Sequence, residues 1–239
     1  MKKHPIWITI VSILAVVLVL AITGIVYAAH YASTITASEK HTATGAIHVT
    51  ETPIPTSASA QLQTFTIVSA QSTASYSVYE DLIIQGKPNN DAIGRTHAVT
   101  GSFQIRTGSS PLVTGMNIKV DLRTLQSDSS MRDGHVQDAL DTSTYPYATF
   151  VSVSTQGLPA TYTNGQTISF KLIGNLTMHG KTNGETFAVQ GKVMGNIITG
   201  TASTTIYMTD FGIQPPNLAN VAIVQNKVVL TLTFTAQKA

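Results

Sequence analysis

Three stretches of the chain alternate apolar and polar residues with a period of two, which places the apolar side chains on one face of a β-strand. In Met116–Leu122 the apolar Met116, Ile118, Val120 and Leu122 alternate with Asn117, Lys119 and Asp121. In Ile168–Met178 the residues Ile168, Phe170, Leu172, Leu176 and Met178 share a face that Gly174 interrupts. Val228, Leu230, Leu232 and Phe234 repeat the pattern against Val229, Thr231, Thr233 and Thr235, whose β-branching suits a solvated sheet face. Further strands are expected at 62–69, 73–80, 98–106, 147–154, 185–193 and 200–208. Gly108, Asn164-Gly165, Asn183-Gly184 and Gly195-Asn196 separate the runs, and Asn-Gly between alternating runs signals a hairpin. The expectation is an all-β, mostly antiparallel sandwich or barrel, closure being favoured because it removes exposed edges. One stretch breaks the period. Ser129–Leu140 spaces its apolar residues for a short helix after the caps Asp128 and Ser129, weakened by Gly134.

Upstream the chain reads differently. Residues 6–29 carry no formal charge, and as a helix they would reach about 36 Å, enough to cross a hydrocarbon core of roughly 30 Å. Lys2 and Lys3 precede the run, which puts its start in the cytoplasm and the rest of the chain outside the cell membrane. A retained single-pass anchor fits the length best. A signal peptide cleaved near residue 28 is the alternative, and it would release a secreted protein. Residues 31–60, rich in Thr, Ser, Ala and Pro, have too few large apolar groups to fold and read as a tether. The expected organisation is an anchor at 1–30, the tether at 31–60 and the β-domain at 61–239.

Charge and composition exclude several classes. The chain holds 14 Lys or Arg and 12 Asp or Glu; without Lys2 and Lys3 the two signs balance, so nucleic acid is no partner. No cysteine means no disulfide, no iron–sulfur cluster and no thiol nucleophile. His97, His135 and His179 lack any ligand spacing, so no metal is expected. No Ser sits in a G-x-S-x-G elbow, and no catalytic residue is assigned.

Several separated motifs occur in a recognisable order. They are Leu122-Arg123-Thr124-Leu125, Met131-Arg132-Asp133-Gly134-His135, Tyr145-Pro146-Tyr147-Ala148-Thr149-Phe150, Gly174-Asn175-Leu176-Thr177-Met178-His179-Gly180 and Asp210-Phe211-Gly212-Ile213. With Phe65–Val78, Gly94–Ile105 and the closing Val228–Ala236 strand, this order resembles the YceI-like polyisoprenoid-binding family over nearly all of 61–237. The resemblance implies an extended lipocalin-like antiparallel β-barrel of about eight strands, with a short helix between strands, preceded here by a single transmembrane helix. It also implies non-catalytic binding or transport of a long-chain isoprenoid, polyprenyl or quinone-type, at the outer face of the bacterial cytoplasmic membrane. No cofactor is required beyond such a bound polyisoprenoid or isoprenoid quinone. The partners expected are that lipid and the membrane, and a homodimer is left open.

The motifs carry candidate polar groups for a barrel mouth: Arg132, Asp133, His135 and His179. Arg132 could face a ligand oxygen with its guanidinium fork, or brace its loop through Asp128, Asp138 or backbone carbonyls. Phe103, Phe150, Phe170, Phe187 and Phe211 are the candidate apolar lining. The chain departs from the family pattern at Lys181, where a small apolar residue is usual, and at Met208, where a basic residue is frequent. If that base holds a polar ligand head in the family, its loss here implies a less charged lipid or weaker binding. The rival reading is a barrel packed solid by its own side chains, an envelope interaction or stress protein with no lipid.

Overall fold

The computed structural model describes residues 61–108, 111–218 and 220–239. They form one antiparallel sheet of eleven strands that closes on itself. In chain order the strands are β1 (Leu62–Ile67), β2 (Thr73–Leu82), β3 (Lys87–Thr96), β4 (Val99–Arg106), β5 (Leu112–Asp121), β6 (Tyr147–Gln156), β7 (Thr167–Met178), β8 (Lys181–Met194), β9 (Ile197–Tyr207), β10 (Asn217–Leu218) and β11 (Ala222–Lys238). A helix, α1 (Ser130–Ala139), lies between β5 and β6.

The barrel has eight staves, because two of them are broken in two. One edge of β11 pairs with β2 from Ala222 to Thr233 and then with β1 from Ala236 to Lys238, so β1 and β2 form one interrupted stave. Strand β3 pairs with β2 and β4 pairs with β1, giving the second. The breaks at 68–72 and 97–98 are pinned together. The fully buried Ser72 accepts a hydrogen bond from Thr235 N at 3.1 Å, and its carbonyl meets His97 Nδ1 at 2.8 Å. His97 is thus committed to the kink.

Period-two patterning decides which faces turn inward. Met116, Ile118, Val120 and Leu122 all face the interior, as do Leu230, Leu232 and Phe234. One turn assignment differs from expectation. Asn183-Gly184 lies inside β8, and the β7–β8 hairpin turns instead at His179-Gly180, closed by the pair Met178 and Lys181. Both turn residues have positive φ, 49° and 70°, as a type I′ turn demands. Strand β3 escaped notice because its first half, Lys87-Pro88-Asn89-Asn90, has no alternation. Proline is tolerated there because β2 is the one strand that pairs with this part of β3, which leaves its other side at an edge.

The expected fold is corrected in a second respect. Among the described residues no helix is long and apolar enough to cross a membrane. The segments expected to form the anchor and tether, 1–30 and 31–60, lie outside the described residues. The architecture is therefore the barrel with one short helix. The expectations that depended on the anchor, a membrane partner and a single-pass topology with an extracytoplasmic domain, are corrected with it: no part of the described structure supplies an anchor.

Candidate functional site

The interior of the barrel is hollow. A cavity of about 210 Å³ runs between the staves, lined by Phe103, Phe150, Phe170, Phe187, Ile198 and Leu232. Its far end lies among Arg106, Pro111, Pro159 and Tyr162. A second cavity, of about 420 Å³, lies beneath α1 and is bounded by β2, β3, the start of β11 and the connection from β9 to β11. Tyr76, Leu122, Leu125, Met178 and Leu230 border both cavities, so the two adjoin in series.

Aromatic rings shape the first cavity. Phe150 and Phe187 meet edge to face at 4.8 Å, and Phe103 meets Phe234 the same way at 6.3 Å. Gly174, which interrupts the inward face of β7, leaves the space that the Phe150 ring occupies: a Cβ there would fall 2.5 Å from that ring. Gly94 on β3 does the same for Tyr76, its partner on β2, with a clash of 2.2 Å.

The larger cavity has a charged wall. Arg132 on α1 donates to Glu80 Oε1 at 2.7 Å, to Asp128 and to Ser127 Oγ at 3.3 Å. Glu80, only 5% exposed, also accepts from Asn90 Nδ2 at 3.0 Å. Burial opposes the Arg132 charge, but the hydrogen bonds to Glu80 and Asp128 outweigh it and hold the guanidinium protonated. Tyr76 stands nearby with its hydroxyl buried and without a hydrogen-bond partner among the described residues. Burial pushes its phenol up to about 12, Arg132 opposing and the acids around it adding.

The structure places the sequence candidates unevenly. Arg132 and His135 border the larger cavity. Asp133 does not; it braces the entry to α1 by accepting from Ser127 N at 2.8 Å and Ser127 Oγ at 2.6 Å. His179 also lies away from both cavities. Its Nδ1 meets Phe211 O at 3.1 Å and its ring meets Tyr145 edge on, fixing the β7–β8 turn to the 208–211 turn. Of the five phenylalanines, Phe103, Phe150, Phe170 and Phe187 line the smaller cavity, whereas Phe211 is wholly buried and lines neither. Met208 borders the larger cavity. Tyr76 and Glu80 were missed by sequence reasoning. Their signal was period two, since Ala74, Tyr76, Val78 and Glu80 share the inward face of β2 and set a phenol and an acid among apolar residues.

Among the described residues no group of three or more His, Asp or Glu is placed to hold a metal ion. Fold and site define a closed antiparallel β-barrel with a long, largely apolar interior. The chain belongs to the YceI-like domain family, which matches residues 65–236. That family is one of non-catalytic binding and transport proteins. A UPF0312 protein of Shewanella sp. strain ANA-3 is 30% identical over 146 residues, covering 55% of this chain and 70% of the relative. BcnA from Burkholderia cenocepacia shares the fold at a TM-score of 0.54 and 20% identity, over 72% of this chain and 99% of that one. A polyisoprenoid binding domain from Saccharophagus degradans, implicated in plant cell wall breakdown, matches at 0.55 and 15% identity, over 75% and 100%.

Proposed function

We propose that this protein binds a long-chain isoprenoid lipid, polyprenyl or quinone-type, inside its barrel and carries it without chemical conversion. The observation that supports this most is the pair of cavities in series: an elongated interior lined by aromatic and aliphatic side chains suits a long flexible hydrocarbon. Each buried methylene contributes about 0.8 kcal/mol relative to water, so even part of a prenyl chain would be held firmly. The barrel packed solid by its own side chains, the rival reading, does not match this hollow interior. The Saccharophagus domain, described as polyisoprenoid binding, adds support through its shared fold.

The test is native mass spectrometry of the full chain, purified without detergent and then offered prenyl lipids. A one-to-one adduct whose mass identifies an isoprenoid is the expected result. A protein that emerges bare and refuses every added prenyl lipid would overturn the proposal.

A further inference from the structure

The wall of the barrel is a backbone ladder nearly all the way round. Antiparallel pairing runs without a gap from β1 through β4, β5, β6, β7, β8, β9, β11 and β2 to β3, and there the path stops. The far side of β3 makes a single bridge, Arg95 with Gln126, whose two backbone bonds measure 2.8 and 2.9 Å. From Lys87 to Gly94 that side has no paired strand among the described residues. The chain runs on from Gln126 into α1, which closes the larger cavity where the ladder is missing. Met131, Arg132 and His135 border that cavity from the helical side, and Lys87, Asn90 and Ala92 border it from β3.

A ladder and a helix close a wall differently. Parting two strands breaks a row of backbone bonds, whereas a helix spends its backbone bonds on itself. Among the described residues one side-chain pair joins α1 to the sheet, Arg132 to Glu80 at 2.7 Å. Its other outward bond, Gln137 Nε2 to Arg123 O at 3.3 Å, goes to the turn at Leu122–Thr124. No residue of α1 is fully buried. The pair can also part cleanly. Glu80 is sealed only while the helix is in place, and swinging the helix outward brings water to both charges at once, so no buried carboxylate is stranded. Asp128, one turn before Arg132 and exposed, stays with the guanidinium when Glu80 is released.

We propose that α1 is the gate of the barrel: the ligand passes between α1 and the open edge of β3, and the Arg132–Glu80 pair is the latch that holds this passage shut. This rests on the lipid-binding reading above and adds the route and its control. The competing entrance is the far end of the smaller cavity, among Arg106, Pro111, Pro159 and Tyr162. A gate slows entry and exit together, so it acts on both rates far more than on affinity, which is their ratio.

The experiment locks the gate and then unlatches it, in the full chain. The sequence has no cysteine, so Met131→Cys with Lys87→Cys offers two exposed thiols, one on each side of the passage. A flexible bis-maleimide with a reducible disulfide spacer bridges them, and a monofunctional maleimide on both thiols is the control. Uptake of a fluorescently labelled farnesyl chain, and its release into excess unlabelled farnesol, are followed by stopped flow. The bridged protein should be at least about tenfold slower in both directions, and reduction of the spacer should restore both rates. In the second arm, Arg132→Met with Glu80→Gln removes the latch without stranding a charge. Both rates should rise about tenfold, the worth of one charge-assisted bond, and affinity should move much less. A bridged protein that exchanges the probe as fast as the control overturns the gate and assigns entry to the far end, leaving lipid binding standing. So does a latch variant in which only one rate changes, since that marks Arg132 as a ligand contact. An unmodified chain that takes up no probe overturns both readings.

Discussion

Arg132 shows how a residue's role is split between what the chain order reveals and what only folding reveals. Its bond to Asp128 spans one helical turn and could be anticipated from spacing. Its bond to Glu80 joins α1 to β2 across the barrel wall, and no local pattern encodes that. Because Glu80 is nearly sealed, removing Arg132 alone strands a buried carboxylate. Arg132→Met should therefore cost about 3 kcal/mol of stability, whereas the double variant Arg132→Met with Glu80→Gln should recover much of the loss. Urea denaturation of the two single variants and the double closes the cycle; strictly additive losses would mean the pair is not coupled. Phe211 was legible only as an aromatic. It sits on a turn rather than a strand, so alternation could not say which way it points. His179 was legible as part of a turn, but its positive φ and its bond to Phe211 O depend on a segment 32 residues away.

At the scale of elements, α1 is the weakest part of the wall around the larger cavity. It spans ten residues, contains Gly134 and buries none of its residues fully, although Val136, Ala139 and Leu140 pack against the core. Its start depends on Ser129, whose side chain accepts from Arg132 N at 3.4 Å. Ser129→Ala is expected to destabilise the helix by about 1 kcal/mol. Amides of α1 should exchange with solvent well before those of β7 and β8, whose twelve-pair ladder has no register shift. Hydrogen exchange followed peptide by peptide decides this; equal protection of α1 and β7 would mean the helix opens only with the whole barrel. The helix was readable in the sequence because its cap and spacing are local. Strand β3 was not, because its edge position permits a proline and two asparagines that a central strand would reject.

For the whole molecule, the balance of stability against pH turns on which carboxyls the fold favours charged. Glu185 is held above the usual carboxylate range, first by burial, with Asp210 adding and the hydrogen bond from Thr204 opposing. The folded chain thus keeps this proton at pH values where the unfolded chain has released it. Stability on that account rises as pH falls from neutral through the raised value, and the gain is complete below the ordinary value of 4.5. Asp121, held low first by its hydrogen bond with Arg123, acts in the opposite sense, losing stability as pH falls, but it lies at the surface. Glu185→Gln should raise stability at neutral pH and flatten the acid-side rise, as read from denaturation midpoints at a series of pH values. An undiminished rise in the variant would assign it to another group. The antiparallel all-β character was legible because alternation and turn chemistry agree along most of the strands, whereas closure into a barrel rather than a sandwich was implied by the motif resemblance. The hollow was not legible, since an inward Phe reads the same whether it meets another side chain or open space.

Strand β11 joins these scales, for it alone touches β9, β2 and β1 and so closes the ring. Before residues 222–238 join the sheet, β1 is held by β4 alone, the β2–β3 hairpin has no neighbouring strand in the ring, and β9 presents an unsealed edge. Closure is thus a late event in folding, and the chain needs shielding from its neighbours until residues 222–238 dock.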